Sequence, residues 1–113
     1  MEAQATVKYI RTAPRKARLV ADEIRGKMVG DALSLLQFTI NKGVAEDISK
    51  LIKSAVANMQ SKNTDVTVDA DELRITRICV DEGPVLKRFR ARAQGRAGKI
   101  IKRMCHISVT VSN

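Results

Sequence analysis

The sequence predicts a single α+β domain, and three observations carry that reading. Apolar residues recur at helical spacing through three segments of the first two thirds. They switch to alternation at the start of the chain and again in its last third, the period of a half-buried strand. Between the two late strand patterns lies a basic segment, Val85 to Arg103, with no sustained apolar period of either kind. At 113 residues the chain suits one compact core, and its 44% apolar content is enough to fill one.

The elements follow in order. Ala5 to Ile10 alternates Ala5, Val7 and Tyr9 against Thr6 and Lys8, which predicts a short strand. Thr12-Ala13-Pro14 reads as a helix start, because proline's missing N–H costs nothing in the first turn. Ala17, Val20, Ala21 and Ile24 form that helix's apolar stripe, and Gly26 supplies its stop. A second helix is expected from about Gly30 to Phe38, with Ala32, Leu33, Leu35 and Leu36 inward. Asn41 to Gly43 reads as a connection. The third helix carries Ile48, Leu51, Ile52, Ala55, Val56 and Met59 on one face, and polar Ser61 to Thr64 ends it. The acidic stretch Asp65 to Glu72 reads as a loop or strand lead-in. Leu73 and Ile75, then Ile78 and Val80, predict a strand whose phase slips near Arg77 through a bulge. Ile107, Val109 and Val111 alternate with Ser108, Thr110 and Ser112, as in an antiparallel strand with one wet face.

The charge is concentrated. Residues 1–84 hold 13 Lys/Arg and all 12 Asp/Glu, whereas residues 85–113 hold 8 Lys/Arg and no acid, so the +9 net charge divides into +1 and +8. If the flanking strands pair, the simplest shape for the basic segment is a two-stranded ribbon turning near Gln94-Gly95. About eleven residues per arm at ~3.3 Å each give a reach of roughly 35 Å. Such a ribbon would repel itself unless a polyanion neutralised it. Arginine outnumbers lysine there, which favours forked contacts to phosphate oxygens. Arg15, Lys16, Arg18 and Arg25 lie off the first helix's apolar stripe and form a second basic group. Aromatics are only 3%, so base stacking is not expected to dominate binding.

Other chemistry has little to stand on. Cys79 and Cys105 form no C-x-x-C pair, and with His106 as the single histidine no four-ligand zinc site can be assembled from Cys and His. Two buried, reduced thiols are the expectation. Asp81 and Glu82, adjacent on a strand, point to opposite faces, which suits pairing with nearby arginines better than acid/base catalysis. No Gly-rich phosphate loop or nucleophile–base arrangement is present, so no catalytic site, metal or cofactor is expected. No apolar run reaches the ~20 residues that span a bilayer. The first residues read as no signal peptide, which makes the cytosol the expected compartment.

The residues also carry a resemblance. Ala13-Pro14-Arg15-Lys16-Ala17-Arg18-Leu19-Val20-Ala21-Asp22, followed by Ile24-Arg25-Gly26-Lys27, resembles the first helix of the bacterial large-subunit ribosomal protein twenty-two family. Ser54-Ala55-Val56-Ala57-Asn58 is similar to that family's S-A-I-A-N stretch. Asp81-Glu82-Gly83-Pro84, Leu86-Lys87-Arg88-Phe89-Arg90, Gly95-Arg96-Ala97, Lys102-Arg103 and His106-Ile107 resemble its hairpin signature, in order. Two places depart from it. Phe89-Arg90-Ala91-Arg92 stands where F-R-P-R is usual, and Arg103-Met104-Cys105-His106 replaces R-T-S-H.

The resemblance implies an α+β body of three helices packed on a small three-stranded antiparallel sheet, with a long protruding β-hairpin. The body would comprise residues 1–82 and 104–113, and the hairpin about 83–103. It further implies a structural protein of the large ribosomal subunit that binds its rRNA, assists early assembly and lines the polypeptide exit tunnel with its hairpin tip. Partners would be large-subunit rRNA, neighbouring ribosomal proteins and the nascent polypeptide, with macrolides near the tip. The expected rRNA-binding set is Arg11, Arg15, Lys16, Arg18, Arg25, Lys27, Lys87, Arg88, Arg90, Arg92, Arg96, Lys99, Lys102, Arg103 and His106. Arg92, Ala93, Gln94, Gly95 and Arg96 would face the tunnel. Two other classes fit the charge alone. One is an architectural DNA-binding protein with a basic ribbon arm. The other is a membrane-surface basic module, disfavoured because the segment lacks an apolar face.

Overall fold

The computed structural model describes residues 2–62, 69, 72–91, 93–95 and 97–113. Along the chain run β1 (Glu2–Ile10), α1 (Pro14–Ile24), α2 (Val29–Gln37), α3 (Lys42–Lys62), β2 (Arg74–Glu82), β3 (Leu86–Ala91), β4 (Ala97–Lys102) and β5 (Cys105–Ser112). Strands β1, β5 and β2 form an antiparallel sheet in that order, with the C-terminal strand central, and β3 pairs with β4 in a separate two-stranded ribbon. The α+β body and its hairpin are as expected.

Alternation decides which face of the sheet is dry. Cys105, Ile107, Val109 and Val111 of β5 are buried, together with Ala3 and Ala5 of β1 and Ile75, Ile78 and Val80 of β2. They pack against Ala17, Val20, Ala21 and Ile24 of α1 and against Ile48, Leu51, Ile52, Ala55 and Met59 of α3. The opposite face presents Gln4, Thr6, Ser108, Thr110 and Cys79, a polar surface left half or fully open. Cys79 is therefore only half-buried, against the expectation of two buried thiols. The cause is register: Cys79 lies between Ile78 and Val80, so its side chain takes the wet face.

The expected bulge is present. Ile75 pairs with Val111 and Arg77 with Thr110, leaving Thr76 as the extra residue, and this slip lets Ile75 and Ile78 both reach the core. Boundaries differ by one to three residues at several ends. Strand β1 begins at Glu2 rather than Ala5, because Ala3 continues the inward alternation. Helix α3 takes in Lys42 and Gly43 at its start and Ser61 and Lys62 at its end, where the Lys62 charge suits the helix macrodipole. Most of the expected acidic loop, positions 65–68, 70 and 71, lies outside the described residues, as do positions 63 and 64 of the expected helix end.

The outer edge of β2 is closed by the chain that follows α1. Gly26 N–H donates to the Ile75 carbonyl (3.1 Å), Ile75 N–H to Lys27 (2.9 Å) and Val29 N–H to Leu73 (2.9 Å). Gly26 makes the required turn at φ 80°, where a side chain would be strained. Further along, Arg25 Nη2 donates to the Ile78 carbonyl at 3.0 Å, and Arg18 donates through Nε (3.3 Å) and Nη2 (3.2 Å) to that of Val80. With its Ile75, Ile78 and Val80 carbonyls engaged, this edge is a poorer template for pairing with another chain.

Candidate nucleic-acid interface

The hairpin leaves the sheet between β2 and β5. The ladder is interrupted at Gly83-Pro84-Val85, where proline has no N–H to donate, and Gly83 N–H bonds the Met104 carbonyl at 2.9 Å across the break. Leu86 to Ala91 then pairs residue for residue with Lys102 to Ala97. The reversal runs through a short helical turn, Ala93–Gly95, with Gln94 at φ 63° and Gly95 at φ 74°. This is the expected turning point.

The pairing register distributes charge to both sides of the ribbon. Leu86, Arg88 and Arg90 share one face with Lys102, Ile100 and Gly98; Lys87 and Phe89 share the other with Ile101 and Lys99. Lys87, Arg88, Arg90, Lys99, Lys102 and Arg103 are all exposed, and none has an acidic partner among the described residues. Arg92 and Arg96, expected in the same interface and at the tip, lie outside the described residues. A ribbon with cations on both faces, and no counter-charge on either, suits a polyanion that surrounds it rather than one that lies along one side. Phe89 stands 76% exposed in the middle of this charge, an apolar ring with no core to enter.

The body's expected contacts divide into two kinds. Arg11, Arg15, Lys16 and Lys27 are exposed. Arg18 and Arg25 are engaged at the β2 edge, and Arg25 also pairs with Asp22. Arg11 and Lys16 line a shallow cavity of about 310 Å³ with Thr12, Ala13, Asn41, Lys42, Gly43 and Val44. Lys42 is thus brought to the basic group by the fold. Sequence reasoning missed it because it sits in what reads only as a connection.

Asp81 and Glu82 make no direct ion pair among the described residues, although the charge of Asp81 is felt by Arg77. Arg77 Nε donates instead to Cys79 Sγ at 3.2 Å, a contact that raises the Arg77 pKa further. Burial pushes the Cys105 thiol up, with Asp47 adding to the rise and Arg18 opposing it.

His106 is held from two sides. Its Nδ1 accepts the Tyr9 N–H at 3.1 Å, and its ring meets the Tyr9 ring edge-to-face at 5.0 Å and 88°. Tyr9 sits at φ 61°, in a bulge where Val7 pairs with Ile107 and Ile10 with Cys105. No group of three potential metal ligands occurs among the described residues, and no described helix is long and apolar enough to cross a membrane.

Two comparisons with known proteins bear on this geometry. The family model described as ribosomal protein L22p/L17e matches residues 5–112. The chain is also 50% identical over 113 residues to the large ribosomal subunit protein uL22 of Desulforamulus reducens, covering 100% of this chain and 96% of that one.

Proposed function

Because the chain belongs to the ribosomal protein L22p/L17e family, whose members are structural, non-catalytic constituents of the ribosome, we propose that its hairpin threads into large-subunit rRNA while its body holds RNA phosphates from outside. As a ribosomal constituent it works in the cytoplasm. The observation that carries the proposal is the ribbon's unpaired charge on both faces. Phosphates all round the ribbon would remove its self-repulsion and release their own counterions. On the body, Arg11, Arg15, Lys16 and Lys27 are free to reach phosphate. Arg18 and Arg25 retain outward N–H donors beyond those spent on strand carbonyls.

The turn at Ala93–Gly95 is the point of the ribbon farthest from the body in sequence register. With Arg92 and Arg96 it would form the segment that reaches the exit tunnel, meets the nascent polypeptide and lies near bound macrolides. A protein that joins distant RNA segments in this way would act early in subunit assembly, beside neighbouring ribosomal proteins.

Sedimentation through a high-salt sucrose gradient tests this reading. The protein is expected to travel with large subunits. Recovery free, or with added naked DNA in preference to subunits, would sink it and favour an architectural DNA-binding role.

A further inference from the structure

Three separate stretches of chain meet at one side chain where the hairpin joins the body. His106 lies at the start of β5, directly after the returning arm of the hairpin. Its Nδ1 accepts the N–H of Tyr9, from the bulge of β1. Its other edge closes over Gly83, from the outgoing arm: a Cβ built on Gly83 would meet Cε1 at 3.2 Å, Nε2 at 3.3 Å and the Met104 carbonyl carbon at 3.3 Å. Gly83 N–H in turn bonds the Met104 carbonyl at 2.9 Å. The imidazole, carried by the strand that the returning arm enters, thus meets both the root of the outgoing arm and the edge strand.

Tyr9 makes the arrangement more than incidental packing. Its φ of 61° is a backbone region that residues bearing side chains rarely adopt, and it persists only where surrounding structure holds it. Here the holding contacts are the hydrogen bond to Nδ1 and the edge-to-face ring contact at 5.0 Å. The left-handed turn aims the Tyr9 N–H at His106 instead of leaving it in the β1–β5 ladder. An N–H donor on Nδ1 fixes the tautomer, with the ring proton on Nε2.

We propose that His106 is a positioning residue for the hairpin: gripped by Tyr9 and closed over Gly83, it sets the angle at which the ribbon leaves the sheet. A self-repelling two-stranded ribbon has no apolar face with which to dock on its own body, so its direction must be set at its root. A ribbon that arrives already aimed does not pay for orientation when it binds.

Residual dipolar couplings measured on the free, full-length protein test the joint. In the wild type, the amides of β3 and β4 are expected to fit the same alignment tensor as those of the body. His106→Leu removes the acceptor, and its hairpin couplings are expected to shrink while the body's stay unchanged. His106→Asn places a side-chain oxygen near the position of Nδ1 and is expected to restore them, which a merely space-filling role would not do. Gly83→Ala supplies a second probe, because its Cβ would stand 3.2–3.3 Å from the ring and the Met104 backbone, so that one of them must give by a few tenths of an ångström. The hairpin couplings are expected to change while those of the body do not, and hairpin couplings identical to wild type would count against the joint. A Leu variant whose hairpin stays coupled to the body overturns the proposal, as does an Asn variant that loosens equally.

The RNA arm of the test rests on the proposed function. His106→Leu is expected to weaken binding to an in vitro large-subunit rRNA transcript about tenfold, if only about a tenth of molecules keep the binding orientation. Unchanged affinity in a variant with a loosened hairpin overturns the positioning role. A wild type that binds no rRNA sinks the functional reading instead, and leaves the joint to be decided by the couplings.

Discussion

Arg18 and Arg25 each carry a charge suited to phosphate, yet both spend hydrogen bonds on the Val80 and Ile78 carbonyls at the edge of β2. Removing such a side chain leaves a strand carbonyl without its partner, so Arg18→Ala is expected to destabilise the body by about 1 kcal/mol in urea unfolding. Arg18→Lys should recover only part of this, because an ammonium cannot fork onto one oxygen as the guanidinium does. The two cysteines differ by the same logic of register. Cys105 is 0% exposed and its thiol is held above the usual value by burial, whereas Cys79 sits half-exposed on the wet face. An alkylating reagent should therefore label Cys79 in the native protein and Cys105 only after unfolding, as read by mass spectrometry of the peptides. The linkage has a definite sign. A folded thiol with a raised pKa contributes stability that is complete below the unfolded value and lost as pH rises through the folded one. The alkaline side, above about pH 9, is where Cys105→Ala and wild type should converge.

Helix α3 and the sheet supply most of the buried apolar surface, and Ile48 and Ile52 are fully enclosed between them. Ile52→Ala is expected to cost about 2–5 kcal/mol, measured by chemical denaturation, with the spread set by how far neighbours collapse into the void. The elements were legible wherever one periodicity ran uninterrupted. Ile48 to Met59 announced a helix face, and Ile107 to Val111 a strand face. The change of phase between Ile75 and Ile78 even placed the bulge, because a core face can be kept across an odd spacing only by an extra residue. The turn at Gln94-Gly95 was likewise readable from residue type. The joint at the hairpin root was not. Tyr9 carries none of the residue types that advertise a left-handed backbone, and its tie to His106 spans nearly the whole chain. Lys42 was hidden for a similar reason, since only the packing of α1 against α3 brings it beside Arg11 and Lys16. Long-range contacts between polar groups leave no periodic trace. One further consequence concerns the hairpin as an element. None of its described side chains enters the core, so replacing Arg88 through Lys99 with a short turn should shift the body's thermal midpoint by less than about 4 °C, equivalent to under ~1 kcal/mol. Loss of cooperative body unfolding in that deletion would show that hairpin and body are one unit.

At the scale of the whole molecule, shape and charge are arranged along the same axis. The protein measures 66 × 26 × 16 Å with a radius of gyration of 17.3 Å, against about 13 Å for a compact chain of this length. The excess length coincides with the segment that holds +8 of the +9 net charge. A near-neutral body therefore carries a strongly cationic arm, and binding should show this division in its salt dependence. If all eight cations of residues 85–113 meet phosphates, log K against log salt for an rRNA transcript should fall with a slope of roughly −6 to −7. Exchanging Lys87, Arg88, Arg90 and Lys99 for glutamine removes four of those charges, taken from both faces of the ribbon. The slope should then flatten by about 3, and the affinity advantage at low salt should shrink with it. For a ribbon enclosed by RNA, Arg88 and Arg90 should matter as much to the slope as Lys87 and Lys99. A slope that responds to one pair and ignores the other would mean that the RNA meets a single face. An unchanged slope in the fourfold variant would place the electrostatic contact on the body instead, at Arg11, Lys16 and Lys42.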